Sequence, residues 1–153
     1  MTTTLTPPKI EFEESVSDLQ FALSLAHSYS LSCDEEDALD AEDAIREAIK
    51  IIEADYPALP PVKLYRPKFT HSKFSRGMDY SERLESIEEL MAELTICMEY
   101  AAESGYEGTD VSGYIADALE TAHESQVYLY GILVEEKEQE LKDAQDAYYR
   151  AAI

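Results

Sequence analysis

Pro57, Pro60, Pro61 and Pro67 fall close together, and no helix can run through them, because each proline lacks a backbone donor and locks φ. The segment that holds them, residues 57–77, contains no acid and five bases: Lys63, Arg66, Lys68, Lys73 and Arg76. Such a stretch is expected to run extended. On one side of it residues 1–56 carry a net charge of −11, and on the other residues 78–153 carry −15. The chain thus reads as two acidic blocks joined by a basic, proline-rich connector, and its net charge of −21 over 153 residues is what remains after partial cancellation.

Both acidic blocks have the period of helices. Phe12, Val16, Leu19, Leu23 and Ala26 recur at steps of three and four, which lines one face of a helix. Ser32-Cys33-Asp34-Glu35 has the form of a capping box, and Ala41, Ile45, Ala48 and Ile52 continue a second stripe up to Pro57. In the second block Asp79-x-x-Glu82 opens a helix striped by Leu84, Ile87, Met91, Leu94, Met98 and Ala101 and stopped by Gly105. After Gly108-Thr109-Asp110 a fourth helix carries Val111, Ile115, Ala118, Ala122 and Leu129 and continues with a weaker stripe beyond Glu135. No segment reads firmly as a strand; the most β-like stretch is Val62 to Tyr65.

The expected fold is therefore all-α, with four main amphipathic helices in two hairpins packed as an antiparallel bundle within a single domain, residues 1–153. Residues 10–56 form the first acidic hairpin, 57–77 the connector and 78–153 the second hairpin. The blocks also resemble each other. Glu14, Val16, Leu19, Leu23 and Tyr29 align with Glu85, Ile87, Leu90, Leu94 and Tyr100 at an offset of 71, and Asp40, Ile45 and Ala48 meet Asp110, Ile115 and Ala118 at an offset of 70. An internal duplication would produce this pattern, and so would two unrelated amphipathic hairpins.

Motifs for catalysis are missing: there is no Walker loop, no G-x-G-x-x-G and no G-x-S-x-G, so the expectation is a protein that is not an enzyme and uses no cofactor or metal. Glu120 and His123 have the E-x-x-H spacing of helical di-iron sites, but the preceding positions for His27 and His71 are Ser24 and Lys68, so the second half of such a site is absent. Cys33 and Cys97 lack metal-site or disulfide spacing and are expected to be reduced thiols of a cytoplasmic protein, in the host cytoplasm if phage encoded. No apolar run is long enough to span a bilayer.

Recognition is the remaining class. Asp34, Glu35, Glu36, Asp37, Asp40, Glu42, Asp43 and Glu47 crowd the start of the second helix and form the expected partner-binding acidic surface. Calcium-loop spacing is absent. The connector bases, interleaved with Tyr65, Phe69 and Phe74, are a second expected contact surface, either for a ligand or for the acidic helices themselves. A helix of about 26 residues is roughly 39 Å long, and duplex DNA of that length carries about 23 phosphate charges. The two acidic blocks together carry −26.

In length and charge the chain resembles small phage or mobile-element proteins that imitate nucleic acid and block restriction or CRISPR effectors. The expected partner is a basic nucleic-acid-binding protein, with no membrane and no nucleic acid on the acidic faces. The alternative is a structural or adaptor bundle whose charge serves solubility, and a third reading is a di-metal carboxylate enzyme. Eight of the eleven tyrosines lie in the second block, and Tyr128 and Tyr130 cannot share one helix face, so some are expected at an interface or in solvent; apolar residues outside the main stripes, Phe21, Leu25, Ile51 and the Tyr128 to Val134 cluster, offer a second interface for a homodimer.

Overall fold

A computed structural model describes residues 12–30, 33, 35–62, 64 and 80–152, apart from the side chains of residues 35, 36 and 80. It contains four helices: α1 Glu13–Tyr29, α2 Glu35–Asp55, α3 Tyr80–Glu103 and α4 Asp110–Ala152. Among the described residues there is no strand. The expected apolar stripes form the core, with one adjustment on α3, where Leu90 and Cys97 are buried and the expected Met91 and Met98 are half-buried: Val16, Leu19 and Leu23 from α1, Ile45 and Ile52 from α2, Ile87, Leu90 and Leu94 from α3, and Val111, Ile115 and Leu129 from α4 are all inaccessible to solvent. Burial also repeats at the two sequence offsets, since Val16 and Ile87, Leu23 and Leu94, Ile45 and Ile115, and Ala48 and Ala118 are buried alike.

The largest interfaces join α2 to α4, α1 to α3 and α3 to α4, and the α1–α2 interface is the smallest of the four. Helices from different blocks therefore supply most of the packing. Contacts at the helix ends set their directions. The aromatic ring of Phe12, just before α1, lies against Gly105, just after α3. Tyr106 donates from its hydroxyl to Asp55 Oδ2 at the end of α2, 2.9 Å away. The first turn of α1 and the last turns of α2 and α3 thus meet the start of α4 at one end of the bundle. At the other end the Arg83 guanidinium, in the first turn of α3, donates to the Cys33 carbonyl between α1 and α2 at 3.1 Å. Every helix runs antiparallel to its two packed neighbours.

This layout places α2 and α3 diagonally and pointing the same way, so the end of α2 and the start of α3 lie at opposite ends of the bundle. A span of about 36 Å, the length of α3, is well within the reach of the chain from Tyr56 to Asp79, since each extended residue covers about 3.3 Å. The start of that path is visible: Leu59, Val62 and Leu64 pack against the core, and the Val62 amide donates to Glu53 Oε2 at 3.2 Å. The rest of the connector, including all five of its bases, lies outside the described residues.

The α3–α4 turn is closed by local chemistry. Gly105 has φ +82°, the Tyr106 amide donates to the Ala101 carbonyl at 2.8 Å and the Gly105 amide to the Ala102 carbonyl at 3.2 Å, the paired bonds of a Schellman cap. A side chain at Gly105 would suffer both the left-handed backbone and the Phe12 ring, 3.1 Å from where its Cβ would stand. The Ser112 hydroxyl then donates to the Tyr106 carbonyl at 2.7 Å and fixes the first turn of α4.

Helix α4 outruns its partners. Its 43 residues make a rod of about 64 Å, against about 36 Å for α3. Leu129 is its last fully buried residue, Ile132 and Leu133 are half-buried, and every described residue from Val134 onward is exposed.

Candidate anionic interface

The acid-rich start of α2 divides into carboxylates with different roles. Asp34 and the side chains of Glu35 and Glu36 lie outside the description. Asp37 is half-buried, and Asp40 and Asp43 are exposed. Glu42 turns inward: one carboxylate oxygen lies 3.6 Å from Nε2 of the buried His27, and the other lies 3.6 Å from Nε of Arg46. Glu47 lies 3.7 Å from Lys50 Nζ. Of the eight expected recognition residues, the structure thus places two in ion pairs on the helix itself, and Glu42 also joins α2 to α1.

The α3–α4 hairpin is different. Residues 80–134 contain twelve acids and a single lysine or arginine, Arg83. That arginine is buried and donates to the Cys33 carbonyl. Eleven of the twelve acids are exposed: Glu82, Glu85, Glu88, Glu89, Glu99 and Glu103 on α3, Glu107 in the turn, and Asp110, Asp117, Glu120 and Glu124 on α4. Glu93 is half-buried, and its carboxyl is held above the ordinary range by burial first and by the charge of Glu89 second. No exposed lysine or arginine occurs in residues 80–134.

The geometry behind the row is simple. The α3 core stripe at Leu84, Ile87, Leu90, Leu94 and Cys97 fixes which side faces the bundle, so acids at the intervening steps, Glu82, Glu85 and Glu89, are forced outward along one line. The sequence contains every one of these residues, but the α2 cluster is denser in sequence and draws the eye first. The missed signal was the absence of bases from residues 84–136, visible in the sequence once charge is counted by segment.

Other chemistry can be placed as well. Glu120 and His123 are both exposed on α4, whereas paired-metal sites in helical bundles are built from side chains facing the interior. Among the described residues no group of three or more histidines, cysteines or carboxylates is arranged to hold a metal ion. Cys33 and Cys97 are both buried, and burial, followed by the charge of Glu93, pushes the Cys97 thiol up to about 12, so it remains protonated at neutral pH. Burial and the hydrogen bond to Asp55 likewise raise the Tyr106 phenol. Phe21, Tyr128 and Tyr130 are exposed, and Leu25 and Ile51 are half-buried. Among the described residues no helix is long and apolar enough to cross a membrane.

No family model, curated protein or solved structure matches this chain.

Proposed function

We propose that this protein is an acidic inhibitor that imitates nucleic acid and occupies the basic groove of a DNA- or RNA-binding protein, such as a restriction or CRISPR effector of a host cell. The observation that carries this reading is the bundled part of the α3–α4 hairpin, residues 80–134, with its twelve acids and its one buried arginine. Along about 36 Å of helix, one strand of duplex DNA presents about 11 phosphates, at one per 3.4 Å. The hairpin offers the same charge over the same length. A basic groove would be drawn to it from a distance, with fast and salt-sensitive association.

On this reading the protein acts in the cytoplasm of the host, carries no catalytic group and needs no cofactor. The α2 acids, partly neutralised by Arg46 and Lys50, contribute to the general field and the hairpin supplies the contact. The test is competition. Restriction and CRISPR nucleases bound to labelled duplex DNA are titrated with the protein across a salt series, and the expected result is DNA release that weakens steeply as salt rises. Release indifferent to salt, or equally strong from proteins with no basic groove, would count against mimicry. An absence of release across the panel would leave the structural bundle as the better description.

A further inference from the structure

The far half of α4 carries a second apolar stripe that is not the continuation of the first. The face that enters the bundle runs through Val111, Ile115, Ala118, Ala122, Ser125, Leu129 and Ile132, and the next positions on that face are Glu136, Glu140 and Asp143. The core stripe therefore ends in carboxylates. At 100° per residue, Val127 and Val134 stand about 160° around the helix from Leu129 and Ile132, and they begin a new row on the side away from the bundle. That row is Val127, Tyr130, Val134, Lys137, Leu141, Ala144, Tyr148 and Ala151, an unbroken alternation of three- and four-residue steps over seven-residue repeats. Its large apolar members are 59%, 44%, 51%, 61% and 71% exposed for Val127, Tyr130, Val134, Leu141 and Tyr148. A strict seven-residue apolar repeat on an exposed helix is the pattern of a coiled-coil seam.

We infer that residues 134–151 pair with the same segment of a second copy of this chain, antiparallel, about a two-fold axis between residues 142 and 143. Size selects the register. Val134 then meets Ala151 of the second copy, Leu141 meets Ala144 and Lys137 lies over the ring of Tyr148, so each layer sets a large side chain against a small one or a cation against an aromatic face. Charge selects it too. The residues flanking this seam face each other as Glu138 against Gln145 and Glu140 against Ala147, with no carboxylate opposite a carboxylate. Sliding the pair by one seven-residue repeat, so that Val134 meets Ala144, brings Glu138 onto Glu138 and Glu140 onto Glu140.

A parallel pair would stack Lys137 on Lys137 and hold two strongly anionic bundles side by side, whereas the antiparallel pair sends the bundles to opposite ends. The composition of the segment agrees: Lys137, Lys142 and Arg150 are the only lysines and arginines of α4, and all three lie here. The interface is isologous, so it closes at two copies.

Sedimentation equilibrium of the full chain tests this at about 0.15 M salt, where the Debye length is near 8 Å. The expected mass at high protein concentration is twice 17.3 kDa, with association strengthening as added salt screens the two bundles. Leu141→Glu should abolish the dimer while the bundle keeps its cooperative thermal transition. Orientation is read by mixing Leu141→Cys and Ala144→Cys proteins with a short thiol cross-linker, because the buried native thiols do not compete. Unlike pairs should then dominate. A monomer at every concentration, a dimer untouched by Leu141→Glu, or cross-links mainly between identical variants would each overturn the inference.

Discussion

The two halves of α4 share one helix and little else. The first half, up to Leu133, buries a stripe in the bundle and shows solvent four acids and no lysine or arginine; the second half buries nothing, and mixes six acids with three bases. The same helical backbone thus serves as a wall of the core and an anionic surface in one stretch, and as a free-standing rod in the next. Side-chain placement within the 3.6-residue period makes the difference. Where the inward positions stay apolar the helix is held, and where they become Glu136, Glu140 and Asp143 it leaves the bundle.

The largest effect that could break this contrast is on stability. Ile115→Ala in the first half should cost about 2–5 kcal/mol of unfolding free energy, whereas Leu141→Ala in the second should change unfolding of dilute protein by no more than about 0.5 kcal/mol. Chemical denaturation with a helical signal measures both. Equal losses would mean that the rod folds back onto the bundle.

Charge reversal sharpens the comparison at the level of recognition. Glu120→Lys with Glu124→Lys, on the first half, should slow association with a captured effector about tenfold, as expected for loss of steering charge. Glu136→Lys with Asp143→Lys, on the second half, should slow it less than about twofold. Stopped-flow association at low salt distinguishes them, and similar slowing from both pairs would assign the attraction to net charge alone.

A smaller effect separates acids that hold the fold from acids that only face solvent. Glu42→Ala removes the carboxylate beside His27 and Arg46 and should lower stability by about 1 kcal/mol. Asp43→Ala, one residue on and exposed, should stay within about 0.5 kcal/mol. Thermal melts of the two single variants read the difference, and matching melts would remove Glu42 from the α1–α2 interface.

The smallest expected effect is in pH. Glu93 titrates above its ordinary value of 4.5 in the folded state, so the folded protein binds the extra proton first. Stability should therefore rise as pH falls from neutrality through the folded value, and the gain is complete once pH drops below the unfolded value. Glu93→Gln should lower the part of the melting-temperature rise that other carboxylates do not share. An identical rise in the variant would show that Glu93 does not contribute.

The core was legible because it depends on period alone. Val16, Leu19, Ile45, Ile52, Ile87 and Leu94 announce their side of each helix, and all are buried. Helix pairing was less legible. Nothing in the stripes states that α1 prefers α3 to its sequence neighbour α2, because a stripe specifies a buried side and not its occupant. The anionic surface was harder still: Glu42 and Asp43 are adjacent and chemically alike, and only the position of His27 on another helix makes one a structural partner and leaves the other in solvent. The departure of α4 from the bundle could be read in advance from Glu136, Glu140 and Asp143, once the core stripe was extended through them.

The end of the bundle where Phe12 touches Gly105 and Tyr106 reaches Asp55 also governs how the chain can acquire its structure. These contacts join positions 93 and 51 residues apart, and the strongest helix pairs bridge the two halves of the sequence. Local hairpin closure cannot complete the core, so the rate-limiting event must bring distant segments together across the connector, against its loop-closure entropy. Folding of this all-helical protein should accordingly be slower than that of bundles whose helices pack in sequence order, and a newly made first block must wait for the second before its apolar face is covered.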